Sequence, residues 1–223
     1  MTSSQSAADL TPARWGPLRA PYPYSDCYGA DRGTPVDRVF IDSFLTQHSG
    51  FVRGQVLEVA TDCYALRYGA ADIAVVDVVD IDAGNGSATL LADLTRHGSL
   101  PRDRYDCAVV TQTLQYVADL RAAVANLHDC LALGGALLVA VPGIARMDPG
   151  GGRPADRWRF TARGLHDLLA DAFEPDSVVC AGHGDLHTAT AFLYGLAAED
   201  IGLAGGDMRT SDFPVVICGR ARR

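Results

Sequence analysis

A strand, a helix, a Gly-Gly pair and a second apolar strand follow one another between residues 105 and 142, and no other stretch restricts the fold as much. Tyr105 to Thr111 (YDCAVVT) has the composition of a buried strand. After Gln112 to Tyr116, the residues Leu120, Val124, Leu127 and Leu131 recur at spacings of three and four, which predicts an amphipathic helix starting near Asp119. Gly134-Gly135 is expected to close that helix, and Ala136 to Val141 (ALLVAV) to form a strand stopped by Pro142. Two apolar strands joined through a helix make a βαβ unit, so a mostly parallel sheet is expected.

The other segments extend this pattern. Residues 54–69 (GQVLEVATDCYALRYG) read as a strand from Gln55 to Val59, with Glu58 near its carboxyl end, then a turn and a helix. In open α/β sheets a ligand sits over such a turn, because the helix amides point at it. Glycine normally lines the turn, since a missing Cβ permits φ > 0 and close approach of a ligand. Here Ala60, Thr61, Asp62, Cys63 and Tyr64 fill it, and Ala60 fits there only if its φ stays negative.

Val75 to Asp82 and Ala88 to Leu94 are β-rich runs separated by five residues, Ala83 to Ser87. Five residues are too few for a crossover helix. Two arrangements stay open, an extended crossover or a pair that is not parallel. Further on, Thr161 to Phe173 and Leu186 to Glu199 are expected helices, and Ser177 to Ala181 and Pro214 to Cys218 expected strands.

Before the first strand, Thr34 as N-cap, Pro35 at the first helical position and Asp37 in the first turn predict a helix start. Val36, Phe40 and Phe44, with Ile41 and Leu45, share its apolar face. Residues 1–30 are expected to be an irregular arm on a single domain spanning 31–223, with about seven strands and five or six helices.

With 223 residues, 48% hydrophobic and 21% charged, the chain is of globular composition. The net charge is −8 and all 19 basic residues are arginines without a basic cluster, which argues against nucleic-acid or anionic-membrane partners. The six cysteines show no C-x-x-C spacing and read as reduced thiols. No metal-ligand spacing is present, no signal peptide opens the chain, and no window reaches the ~18 apolar residues of a membrane span. A cytoplasmic protein is expected.

In VLEV (56–59), VVDID (78–82), ATLLADL (88–94), YDCAVVTQTLQYV (105–117) and LHDCLALGGALLVAVPG (127–143), the chain resembles the class I S-adenosylmethionine (SAM)-dependent methyltransferases over about residues 32–221. The last of these segments is the most specific. DRWRFTARGLHDLL (156–169) looks like the substrate-side helix of bacterial small-molecule enzymes. GADRGTPVDRVFIDSFL (29–45) resembles a subgroup encoded near natural-product genes. The resemblance implies a Rossmann-like fold: seven strands, mostly parallel, an antiparallel last strand, and helices on both faces. It also implies SAM as cofactor, a small-molecule acceptor such as a saccharide or secondary metabolite, O-methylation, and a homodimer as one open assembly.

Roles carry over by position. Glu58 would hold the turn and the methionine part, helped by Ala60 and Asp62. Asp82, with Asp80 as second choice, would take the ribose hydroxyls. Asp93 and Leu94 would meet adenine, and Thr111 and Gln112 would border the methyl-donor pocket. The family's acid-x-Gly-x-Gly-x-Gly pattern reads here as Glu58-Val59-Ala60-Thr61-Asp62-Cys63-Tyr64, so all three glycine positions are filled.

A hydroxyl acceptor needs a base. His183 and His187, after the sixth strand, are the candidates, whereas His128 on an apolar helix face reads as structural. Asp31, Arg32, Tyr116, Arg157 and Trp158 are expected substrate contacts, since arginine clamps anions and tryptophan stacks on rings. Two other readings stay open. One is a methyltransferase fold that has left methyl transfer; the other is a dinucleotide-dependent oxidoreductase, weakened by the absence of G-x-G-x-x-G.

Overall fold

Unbroken apolar runs such as Ala136 to Val141 need cover on both faces of a sheet, and the fold supplies it. The computed structural model describes residues 20–148, 155–205 and 212–223. In chain order the elements are α1 (Val36–Gln47), β1 (Gly54–Val59), α2 (Cys63–Gly69), β2 (Ile73–Asp80), β3 (Leu90–Leu91), β4 (Tyr105–Thr111), α3 (Leu120–Cys130), β5 (Leu131–Pro142), α4 (Ala162–Ala170), β6 (Val179–His183), α5 (Leu186–Leu193) and β7 (Val216–Arg222). The strands lie side by side in the order β3-β2-β1-β4-β5-β7-β6. β1 to β5 pair parallel, and β7 runs antiparallel to both β5 and β6, as expected of the last strand.

Alternate residues of each central strand feed different cores. Leu137, Val139 and Val141 of β5 pack with Val124 and Leu127 of α3 and Leu165 and Leu169 of α4. Leu138 and Ala140 face the other way, toward Phe40, Ile41 and Phe44 of α1 and Phe192 of α5. The helices thus lie on both faces.

Several boundaries differ from the sequence reading. β2 ends at Asp80, two residues early, because the Asp80 carboxylate accepts from the Asp82 amide (3.0 Å) and turns the chain out of the ladder. β3 has two residues, and both pair parallel with β2, Val79 with Leu90 and Asp80 with Leu91. The open alternative is thereby settled in favour of an extended, helix-free crossover. Gly134-Gly135 does not cap α3, which stops at Cys130 because Leu131 is extended and fully buried in register with Tyr105. The two glycines instead sit in an irregular part of β5. There Gly134 takes φ +82°, and a Cβ on Gly135 would come within 2.8 Å of the Tyr105 carbonyl oxygen.

Thr34 does not cap α1. Its amide and hydroxyl both donate to the Glu199 carboxylate at 2.8 Å, and the helix begins after Pro35. α5 ends at Leu193, short of Glu199, because Gly195 takes φ +68° and the Gly195 and Leu196 amides donate to the Phe192 and Ala191 carbonyls, a Schellman ending. The run Gly150-Gly151-Gly152, which in the sequence suggests a lid past the carboxyl end of a strand, lies outside the described residues, as do residues 1–19 of the arm. The rest of the arm has no regular element and is tied to the domain by Tyr24 N–H donating to the Tyr194 carbonyl and by a bridge between Pro35 and Ala197. No helix among the described residues is long and apolar enough to cross a membrane.

Candidate functional site

The turn after β1 is built on a buried acid. Glu58 is 1% exposed, and its carboxylate accepts from the amides of Ala65 (2.7 Å) and Tyr64 (3.2 Å), capping the start of α2. Burial pushes its pKa up to about 7; the two amides oppose that shift, and nearby Asp62 adds to it. Ala60 takes φ +66°, against the expectation of a negative value, so an alanine holds the left-handed conformation that glycine adopts freely. Its neighbours over-determine it: the Ala60 amide donates to the Val79 carbonyl at 2.9 Å, and its carbonyl accepts from Asn85 Nδ2 at 2.9 Å. The Thr61 hydroxyl accepts from the Cys63 amide. The Tyr64 ring packs with α1, its hydroxyl accepting from Arg38 at 3.2 Å, and it stacks near Tyr68.

At the end of β2, Asp80 Oδ2 accepts from the same Asn85 amide at 2.7 Å. Asn85 therefore ties the β1 turn to the last residue of β2. Asp82 is exposed in the following turn, where it accepts from the Gly84 amide at 2.8 Å. Beyond β3, Asp93 Oδ1 accepts from the amide and hydroxyl of Thr95, and Leu94 is buried with its carbonyl held by Asn126 (2.8 Å).

Beside the carboxyl ends of β4 and β5 opens a cleft of about 280 Å³, walled by the arm, α1 and the segment after β5. Gln112, the first residue past β4, takes φ +46° and sends its Nε2 to Asp37 Oδ2 at 3.0 Å; Gln115 Nε2 in turn donates to Gln112 Oε1 at 3.2 Å. Asp37 is buried, and burial raises its pKa against the opposing pull of Arg38 and Gln112. The Tyr116 hydroxyl donates to Asp148 at 2.7 Å; burial, with Asp148 adding, pushes its pKa to about 12. Arg159 grips Asp156 through two bonds of 2.7 Å, and Arg146 lies 4.6 Å over the Tyr28 ring.

No protein-family model matches the chain, and no curated protein matches it. Solved structures do. A methyltransferase of Thermotoga maritima described as a possible histamine N-methyltransferase aligns with a TM-score of 0.58 at 14% identity, over 84% of this chain and 91% of that one. A SAM-dependent methyltransferase of Archaeoglobus fulgidus aligns at 0.53 and 10% identity, over 80% and 91%. The [4+2]-cyclase SpnF aligns at 0.54 and 18% identity, over 91% and 85%. The chain has the class I SAM-dependent methyltransferase fold.

In this methyltransferase fold the carboxyl ends of the strands form the ligand edge, and the sheet order decides which expected site residues reach it. Glu58, Ala60, Asp62, Asp80, Thr111 and Gln112 lie at or just past the carboxyl ends of β1, β2 and β4, neighbours in the sheet. Gln112 and Tyr116 also line the cleft. His183 and His187 do not: β6 is the edge strand beyond β7, so His183 is buried at its end and His187 is exposed on α5.

Asp31 accepts from the Ser25 hydroxyl, and Arg32 pairs with Asp200 at 2.8 Å, so both anchor the arm, while Cys27, Tyr28 and Ala30 before them line the cleft. Arg157 is exposed with its amide on the Gln115 carbonyl, and Trp158 Nε1 donates to the Val117 carbonyl (2.8 Å), placing both outside the lining. His128 packs edge-on to Phe173, as a structural histidine does.

Sequence reasoning did not place Asn85 at the β1 turn, or Asp37, Arg146, Asp148, Asp156 and Arg159 in the cleft lining. For Asp37 a signal existed. It lies four and seven residues before Ile41 and Phe44, an acid on the apolar stripe. Asn85 had none, since its partners come from the turn after β1 and from the end of β2.

Proposed function

We propose that the chain is a SAM-dependent methyltransferase acting at oxygen on a small molecule, a saccharide or secondary metabolite, in the cleft beside β4 and β5. The observation that carries this reading is the β1 turn. Its glycines are gone, yet Ala60 keeps the left-handed backbone and Glu58 still caps α2, so the conformation that receives the donor persists without the residues that usually encode it.

SAM supplies an electrophilic methyl group, already activated as a sulfonium, so the protein's task is orientation. Glu58 keeps the turn in place. Asp80, the acid that ends β2, is a better placed partner for ribose hydroxyls than Asp82, which projects from an exposed turn. Asp93 and Leu94 border the adenine position, and Thr111 and Gln112 separate it from the acceptor cleft. Calorimetry with S-adenosylhomocysteine (SAH) tests the reading. Binding by the wild type, weakened about tenfold or more in Asp80→Ala, supports it; no heat from nucleotide-free protein refutes it.

A second reading has its own support. The filled glycine positions, together with the likeness to a cyclase, suit a methyltransferase fold turned to another reaction. SAH binding without methyl transfer to any hydroxylated acceptor would favour it.

A further inference from the structure

We propose that Asp37 is the proton acceptor of the reaction: its Oδ1 receives the proton of a neutral alcohol acceptor bound in the cleft, while Gln112 holds its Oδ2 in position. The proposal rests on the methyltransferase reading above.

The cleft contains polar atoms that await a ligand. Asp37 Oδ1, Gln115 Oε1 and Arg146 Nε are buried without a hydrogen-bonding partner among the described residues, and all three residues line the cleft. Such orphans are rare in folded proteins because each carries a desolvation penalty. Two oxygens and one N–H set close to one space suit a molecule that both donates and accepts, as hydroxyl groups do.

The charges of the lining favour a neutral ligand. Arg159 is committed to Asp156 and Arg146 to the backbone and carboxylate of Asp26, while Asp37 has Arg38 at 3.9 Å. An anionic acceptor would meet the carboxylates of Asp37, Asp148 and Asp156.

Asp37 is suited to the role by its position. Its side chain is 7% exposed, and its Oδ2 accepts from Gln112 Nε2 at 3.0 Å, a residue whose own backbone is kept at φ +46°. In the transfer, the acceptor oxygen forms a bond to the methyl carbon, the carbon–sulfur bond breaks with its electron pair going to sulfur, and the hydroxyl proton moves to Asp37 Oδ1. The charged or titratable groups facing Asp37 are Arg38 on α1, Tyr64 on α2 and Cys218 on β7. Arg38 favours the ionised carboxylate and burial opposes it, so the base is stronger than a free carboxylate.

The test uses the full chain, tritiated SAM and two probes, methyl α-D-glucopyranoside and the corresponding uronate. Asp37→Asn should bind SAH as the wild type does and lose about 100-fold or more in methyl transfer to the glucoside, with the uronate a poorer acceptor in the wild type. A variant that binds SAH and transfers within about threefold of wild type, or equal use of the uronate, overturns the assignment. Absence of SAH binding by the wild type instead overturns the parent reading, which separates the two failures.

Where neither probe is turned over, infrared difference spectra of wild type against Asp37→Asn decide. The protonated-carboxyl band of Asp37 must disappear on titration, with a midpoint above the ordinary carboxylate range. A band that persists throughout, or is never present, overturns the proposal. Gln112→Leu should move the midpoint to higher pH, since it removes a donor that favours the charged form; an unmoved midpoint removes Gln112 from the scheme.

Discussion

At Ala60 the backbone holds φ +66° with a Cβ present, a conformation that costs a non-glycine residue about 1 kcal/mol or more. Ala60→Gly is therefore expected to raise stability by roughly 1 kcal/mol, partly offset by the greater freedom of glycine in the unfolded chain, and Ala60→Val to lower it. Chemical denaturation midpoints measure both, and a destabilised Ala60→Gly would show that the turn is not strained. Glu58 gives a pH-dependent expectation. Its folded pKa of about 7 lies above the ordinary glutamate value of 4.5, so its contribution is fully present below about pH 4.5 and is lost as pH rises through 7. Stability of the wild type should fall across that window, and the slope should flatten in Glu58→Gln; identical pH profiles of the two proteins would contradict this.

Elements here start and stop through local hydrogen bonds as much as through pattern. Asp119 caps α3 by accepting from the Ala122 amide at 3.0 Å, and Asp185 forms a reciprocal capping box with Thr188 on α5. Asp119→Ala and Asp185→Ala should each cost about 1 kcal/mol in denaturation experiments. The β2–β3 crossover, without a helix of its own, depends on Asn85, whose Nδ2 serves both the Ala60 carbonyl and Asp80. Asn85→Ala should speed amide hydrogen exchange at residues 60–62 and 81–89 while leaving β4 and β5 protected; uniform change across the sheet would show that Asn85 acts on global stability instead.

For the molecule as a whole, the central strands hold the two cores together and the arm encloses the cleft. Leu138→Ala, at a fully buried position of β5, should cost about 2–5 kcal/mol, far more than any loss at the surface. The arm is held by exposed contacts, Arg32 with Asp200 and Thr34 with Glu199, so an Arg32→Ala, Thr34→Ala double variant should be cleaved faster within residues 24–34 with little change in the unfolding midpoint.

The apolar runs at 105–111 and 136–141 and the helical spacing of Leu120 to Leu131 determined an α/β sheet by themselves, because burial on two faces and amphipathic periodicity are written in consecutive residues. Glu58 was equally legible as the acid at the end of a strand before a helix. What the tertiary structure alone decided is which strand ends become neighbours. The order β3-β2-β1-β4-β5-β7-β6 sets His183 at an edge and brings Asp37 from before the first strand against Gln112 after the fourth. Only that non-local meeting makes a carboxylate on an apolar stripe into a member of a polar site, and only bonds from Val79 and Asn85 hold an alanine where local preference calls for glycine.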